Sequence, residues 1–501
     1  MFYYRTESIK REVIEYKERG FYYPLYREIP YNLPRVVYPL FSGSNSFVFE
    51  SIKGPEKIAR FSFIGFEPSL RIKIKNGFIE ISSQERVSVS QCNPLKRLKE
   101  ILFGYKQRPV EFLPPFQGGL AGLLSYDFVH YLERLPRTTI DDLHIPDADL
   151  FLIDRLIAFD HLNKRAWAIV CPGLRDSNPD PSCFYDEAEY HLDRICRIAG
   201  TVRNQQEVVD FLGCSQEGNN SNIEIIQEMT KKGYMDMVRQ AKEYIAAGDI
   251  FQANLSQRVS AHIPNVDPWD IYNVLSSINP SPFAGYINFG DYHIVSSSPE
   301  RLVRIKDSVI ETRPIAGTRP RGRNINEDEM MRDELLLNEK ERAEHIMLID
   351  LERNDIGKVS DYGTVEVDEL MITEDYSHVI HIVSNIRGVL APNKTTIDAI
   401  RAVFPGGTIT GVPKVRCMEI IDELEPVQRG PYTGSMGYIG FSGNMDLNII
   451  IRTFVIKNNM AYVQAGAGIV ADSDPEREYH ETLKKAEALI RTLQMVKGKR
   501  K

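Results

Sequence analysis

The chain has 501 residues, 43% hydrophobic and 26% charged, with a formal net charge of -8. That length predicts two parts of unequal size, and the acidic balance argues against a nucleic-acid partner held through its phosphates. No apolar run reaches the ~18 residues of a membrane span, and the N-terminus reads as carrying no secretory signal. Six cysteines without a Cys-x-x-Cys pair suit free thiols in a reducing cytoplasm rather than a zinc site.

The first forty residues are rich in Tyr and Pro. Short strands are expected over 45–51 and 60–65 from their aromatic and β-branched content. The stretch 71–81 alternates around Asn76-Gly77, a strong hairpin signal. Glycines within 116–127 read as permitting close strand packing rather than binding phosphate. Breaker clusters at 176–181 and 217–222 bracket the stretch 187–209, which has the pattern of one or two connecting helices. The boundary is placed there, giving an N-terminal region 1–171, a connecting segment 172–226 and a larger region 227–497.

The larger region opens with a helix whose Tyr234, Met237, Val238, Ala241, Tyr244 and Ile245 share a face, stopped by Gly248. A strand over 250–258 follows, in which Gln252 turns away from Phe251 and could line a cavity. Three arginines and two glycines within 311–322 suggest a loop for anions. A helix running from about Asp328 through Leu351 places Glu341 and Glu344 on one face, and Glu478 and Glu481 repeat that spacing near the C-terminal end. Singly, such pairs are ordinary surface decoration. Brought together, they would suit a hard divalent cation such as Mg2+, which takes one or two carboxylates and keeps several waters. His381 sits on a strand, on the opposite face from Ile380 and Ile382, and becomes a general-acid candidate if carboxylates lie nearby.

Two glycine-rich stretches invite nucleotide readings and fail them. In 404–414 the second glycine is followed by Val412-Pro413 instead of Lys-Ser or Lys-Thr. In 466–471 no helix opens within the motif, because Asp472-Ser473-Asp474-Pro475 intervenes. Both read as loops whose backbone N–H groups can approach a carboxylate. Tyr432 and Arg452 would add a hydroxyl and a guanidinium to that grip.

The motifs in 246–252, in 314–319, at Glu344-His345, at His381, in Gly411-Val412-Pro413-Lys414 and in Gly466-Ala467-Gly468 occur in a familiar order. Over nearly its whole length the chain resembles component I of anthranilate synthase, within the chorismate-utilising enzymes. The resemblance implies an α+β fold with a core of packed, largely antiparallel sheets and helices outside. The N-terminal part would pack on a larger chorismate-binding part. It implies one Mg2+ held by Glu344 and Glu481, with Glu341 and Glu478 supporting. Tyr432, Arg452 and the backbone of Gly466, Ala467 and Gly468 would hold the enolpyruvyl carboxylate, and Gly317, Thr318 and Thr408 would line the same pocket. The catalytic set is His381, Gln252 and Thr408, with His381 protonating the departing hydroxyl. Water-activating relatives carry a Lys where this chain has Gln252, and aminodeoxychorismate synthases commonly carry one in place of Ala316. With neither present, direct attack by ammonia fits.

The resemblance further implies a separate glutamine amidotransferase subunit as partner, a cytoplasmic location, and chorismate, ammonia and L-tryptophan as ligands. Feedback inhibition by tryptophan is expected at Glu50 and Ser51 together with Pro282, Phe283 and Ala284. Phe283 and Ala284 depart from the usual Tyr and Met, so weaker inhibition is expected. Two competing readings are an aminodeoxychorismate synthase component I that lacks the Lys, and a catalytically inactive tryptophan-binding regulatory relative.

Overall fold

The computed structural model describes residues 21–83, 85–174, 181–202, 223–375 and 379–498. Positions 176–180 and 217–222 of the two breaker clusters, residues 203–209 and His378 lie outside those described. Two 12-stranded sheets form the core. Their strands pair antiparallel, as in the long ladder between Gln252–His262 and Met460–Ile469. Both sheets draw strands from either side of the 172–226 segment. In the first, Ser46–Glu50 lies between Phe61–Gly65 and Phe283–Asn288. In the second, Gly119–Leu124 lies between Ala148–Ile153 and Ser435–Gly440. The expected α+β architecture of packed antiparallel sheets is the one observed.

Side chains from the two sheets interleave between them. Phe47, Phe63, Ile287 and Val455 of the first meet Leu123, Phe151, Met436 and Tyr438 of the second. Fully burying a ring such as Phe47 is worth about 2–3 kcal/mol. Helices cover the outer faces. Pro268–Ile278 and Pro475–Gly498 pack on the first sheet through Ile271, Leu275, Leu489 and Leu493. Glu339–Gly357 and Thr396–Val403 join the core of the second through Ile349, Ile356 and Ile400. With both faces covered, strands such as Arg155–Asp160 are buried at every position and lose the period-two alternation.

Several local expectations hold. Asn76 and Gly77 take the two positive-φ positions between Leu70–Lys75 and Phe78–Ser82, as a type I′ turn requires. Helix Lys231–Ala247 ends at Gly248, which is left-handed.

Three expectations are corrected. The single helix from Asp328 is two, Ile325–Leu337 and Glu339–Gly357. Asn338 divides them, because its side chain accepts from Glu341 N at 3.1 Å and caps the second. The anion loop is mostly the strand Ile315–Pro320. Its arginines face carboxylates of the chain: Arg313 meets Glu369 and Glu374, Arg319 meets Glu334 and Glu341, and Arg321 meets Asp328. Gly466, Ala467 and Gly468 lie inside the strand Met460–Ile469 and not in a loop. Among the described residues, no helix is long and apolar enough to cross a membrane.

Candidate active site

His381 occupies the strand Val379–Val389, in register with Thr318 of Ile315–Pro320. Its Nδ1 lies 3.0 Å from Gly317 O and 3.1 Å from Thr318 Oγ1. A carbonyl only accepts, so Nδ1 carries the proton and Nε2 is the acceptor nitrogen of the neutral ring. The strand is covered on both faces, so Ile380, His381 and Ile382 are all buried. That burial lowers the His381 pKa to about 4, with the Gly317 carbonyl opposing and Arg452 adding to the shift. Gly317 is left-handed, and a Cβ there would strike the Glu341 carboxylate and Leu335, so the position needs glycine.

Glu341 and Glu344 project from Glu339–Gly357, Glu478 and Glu481 from Pro475–Gly498. Glu341 Oε1 lies 2.7 Å from Arg319 Nη1, while its Oε2 is buried without a hydrogen-bond partner among the described residues. Burial raises the Glu344 pKa; Lys340 opposes this, and Glu341, Glu478 and Glu481 add to it. The two helices are therefore close enough for each pair to feel the other. Lys485 Nζ sits 2.8 Å from Glu481 Oε1 and 2.9 Å from Gly466 O, tying the carboxylates to the glycine strand. As they stand, no three His, Cys, Asp or Glu among the described residues are placed to ligate one ion. The donor chemistry nevertheless fits a hard divalent cation that keeps much of its water. It consists of carboxylate oxygens only, one buried carboxylate oxygen has no partner, and one carboxyl is crowded by like charges.

Gln252 and Asn254 lie on one face of Gln252–His262, whose neighbour is the glycine strand. Phe251 is the exposed residue, at 70%, so the expected alternation holds with the apolar side chain outside. A Cβ on Gly468 would collide with the Gln252 amide nitrogen. One on Gly466 would lie 2.5 Å from Asn254 Oδ1 and 2.7 Å from the Tyr432 hydroxyl. The two glycines thus make room for a row of polar groups. Gln252 Oε1 and Asn254 Oδ1 are both buried and lack hydrogen-bond partners among the described residues.

Arg452 acts on both His381 and Glu300. It holds a left-handed backbone at φ 51°, a conformation that costs a non-glycine residue about 1 kcal/mol or more and collects at functional sites. Thr408 lies in the short turn Gly407–Ile409. Burial raises the Glu300 pKa to about 7, and Thr408, the Ile315 backbone and Arg452 moderate it. The Thr408 contact is not a well-formed hydrogen bond, since Glu300 Oε1 and Thr408 Oγ1 are each buried without a partner among the described residues.

Sequence reasoning passed over Glu300 and Asn254. Period two from Gln252 pointed to Asn254. For Glu300 the signal was an acid in the short connection between two buried strands, Tyr292–Ser298 and Arg301–Lys306.

A separate cavity of about 660 Å3 opens beside Glu50, Ser51, Pro282, Phe283 and Ala284. Register brings the two segments together, since Glu50 pairs with Ala284. Ser51 Oγ contacts Phe61 O at 2.9 Å and Pro282 O at 3.1 Å. The Glu50 carboxylate is already engaged, by Arg35 at 3.2 Å and by the Tyr272 hydroxyl at 2.8 Å.

Comparison with known proteins follows the same lines. The family model described as chorismate binding enzyme matches residues 44–491. Anthranilate synthase component 1 of Acetivibrio thermocellus is 44% identical over 450 residues, 89% of this chain and 90% of that protein. Aminodeoxychorismate synthase component 1 of Bacillus subtilis is 40% identical, covering 91% of this chain and 93% of that protein. The crystal structure of anthranilate synthase component I from Streptococcus pneumoniae superposes with a TM-score of 0.74 at 35% identity, covering 87% of this chain and 95% of that one. With a family model spanning most of its length and relatives this close, the chain belongs to the chorismate-binding enzymes.

Proposed function

We propose that this chain is the chorismate-converting subunit of an anthranilate synthase, in which region 227–497 carries the chemistry, region 1–171 carries control and 172–226 connects them. The observation that carries the reading is Gln252, a carboxamide whose oxygen is buried and unpaired. A carboxamide cannot deprotonate water, so the site suits a nucleophile that needs no activation, which ammonia is. Ala316 likewise supplies no amine to attack the ring.

Arg452 and Tyr432 offer a guanidinium and a hydroxyl to the substrate's enolpyruvyl carboxylate. Gly317, Thr318 and Thr408 would border the same space, along the strand of Gly466, Ala467 and Gly468. Mg2+ fits Glu344 and Glu481, supported by Glu341 and Glu478, where it would supply Lewis-acid polarisation of the ring carboxylate. Ammonia forms a bond to ring C2 as the C4 hydroxyl leaves with a proton as water. Loss of the C2 proton and of the enolpyruvyl group as pyruvate then gives anthranilate.

His381 was expected to protonate the departing hydroxyl. Its neutral ring, with Nδ1–H turned to Gly317 O, presents an acceptor at Nε2. Glu300, with a pKa of about 7, still holds a proton near neutral pH and is the stronger donor candidate. His381 then fits removal of the C2 proton. A separate glutamine amidotransferase subunit would supply ammonia in the cell, and L-tryptophan would inhibit from the Glu50–Phe283 cavity, whose volume suits a small-molecule ligand.

Incubating the purified chain with chorismate, ammonium and Mg2+ tests the reading. Anthranilate, followed by its fluorescence, should appear with one pyruvate per turnover. A 4-amino product would favour aminodeoxychorismate synthesis, the activity in the name of the Bacillus subtilis relative. No aminated product at all would refute both.

A further inference from the structure

Gln252 and Asn254 stand on the same face of one strand and point their carboxamides across Gly468 and Gly466 of the next. Each ends in a buried oxygen with no hydrogen-bond partner among the described residues. A single orphan acceptor of this kind costs about 1–3 kcal/mol, so two on one face of the same strand call for a donor. Neither side chain is needed to pair the strands. The backbone of Asn254 already donates to Thr410 O at 2.9 Å and accepts from Arg429 at 2.6 Å, leaving its side chain free of that duty.

We infer that Gln252 and Asn254 together form the seat of the attacking ammonia, with Asn254 a second nucleophile-binding residue. The inference rests on the anthranilate synthase reading. Ammonia carries three N–H donors and one lone pair. Donating two of its hydrogens to the two amide oxygens, at about 2.9 Å each, holds the molecule and leaves the lone pair turned outward to the ring. Amide oxygens also suit the neutral form. A carboxylate in either place would hold ammonium, whose lone pair is already spent, by charge attraction. Two uncharged acceptors give far less of that preference. The glycines opposite complete the seat, because a side chain on either would occupy the volume the carboxamides fill.

Steady-state kinetics of the full chain with ammonium as nitrogen donor test this. Asn254→Val removes the acceptor while suiting a strand. It should raise the KM for ammonium about five- to tenfold, the effect of one lost hydrogen bond, and leave the KM for chorismate unchanged. Asn254→Asp keeps the oxygens and adds a charge, so its KM for ammonium should not rise while its kcat falls. Melting temperatures close to wild type show that both variants fold. A higher KM for chorismate with that for ammonium unmoved would place Asn254 against the other substrate and overturn the inference, as would unchanged kinetics in Asn254→Val. The wild-type assay separates this from the functional reading. If the wild type makes anthranilate and Asn254→Val is indifferent, only the ammonia seat is lost.

Discussion

The regions around Glu50 and around His381 share the same pair of sheets, yet they treat polar groups in opposite ways. At Glu50 there is a cavity of about 660 Å3, and the charges beside it are paired, although Arg304 Nε has no hydrogen-bond partner among the described residues. Glu50 is matched by Arg35 and Tyr272, and Arg301 by Asp446 at 3.0 Å. On the His381 side, one buried oxygen each of Gln252, Asn254, Glu300, Glu341 and Thr408 has no hydrogen-bond partner among the described residues. Charges paired around a cavity describe a place that admits a ligand and is stable without one. Orphaned groups describe a place held ready at a cost that a ligand repays, as in a preorganised reaction site. Volume alone would have pointed to the wrong one of the two for chemistry.

The largest effect should come from the carboxylate cluster, and it should split activity from stability. Glu344→Gln should abolish detectable turnover, and calorimetric titration should show weakened Mg2+ binding. The protein should nevertheless melt no earlier. The raised pKa of Glu344 means that the folded state prefers the proton, so its ionisation opposes folding as pH rises above the ordinary glutamate value. Removing the charge removes that opposition. Near-normal turnover at saturating Mg2+ would reduce the two Glu pairs to surface charge.

Glu300→Gln comes next. If Glu300 gives the proton, its isosteric amide should lower kcat by about 10²–10⁴. In the wild type, kcat at saturating ammonia should fall as pH climbs past about 7, where Glu300 loses its proton. The variant's kcat should be flat there. Stability carries the same sign: a carboxyl raised to about 7 favours the folded state less and less as pH rises from the ordinary glutamate value through 7. The wild type should therefore lose melting temperature over that interval relative to the variant. Parallel pH profiles for the two proteins would remove Glu300 from the chemistry.

The paired region should answer in the reverse sense. Glu50→Gln leaves Arg35 buried without its counter-charge, since the two side chains are only 3% and 9% exposed. A cost of about 3 kcal/mol is expected, read as a lower midpoint in urea unfolding, while turnover with ammonium at low temperature stays near wild type. Lost turnover with unchanged stability would mean that this region reaches the reaction directly.

How much of this the sequence disclosed follows from what each signal depends on. The hairpin at Asn76-Gly77 and the stop at Gly248 are set by local backbone conformation, so they could be read directly. The fold and the family came from ordered motifs, because the residues that carry chemistry keep their types whatever surrounds them. Other features depend on what lies across the sheet. Gly466 and Gly468 read as a loop because glycines weaken a strand on their own. They form one because Gln252 and Asn254 occupy the space their side chains would fill. The arginines of 313–321 looked free for an anion because their partners Glu369, Glu374 and Asp328 come from other elements or further along the chain. Glu300 was silent because its significance is burial, and burial is a property of the packed sheets.

The smallest expected effect tests whether the two regions communicate. Lys57 lines the cavity beside Glu50 and reaches Glu369 at 2.6 Å. Glu369 also meets Arg313 at 2.6 Å and lies on Glu366–Asp375, the strand in which Glu374 is the register partner of His381. Arg313 leads directly into Ile315–Pro320, whose Gly317 and Thr318 hold His381 Nδ1. Burial would raise the Glu369 pKa, but Lys57 and Arg313 bring it below the ordinary value, so the link persists at neutral pH and fails only in acid. Lys57 is 43% exposed, and such a pair adds little to stability, at most about 1 kcal/mol. Lys57→Met should therefore keep kcat, the chorismate KM and, within about 2 °C, the melting temperature. If occupancy of the cavity is felt at His381 through this link, the tryptophan concentration for half-inhibition should rise about fivefold, the low end of measured couplings between sites. Ser51→Phe, which fills the cavity itself, sets the fully insensitive limit. Should Ser51→Phe abolish inhibition while Lys57→Met inhibits as the wild type does, the cavity controls the reaction by some other route than the strand opposite His381.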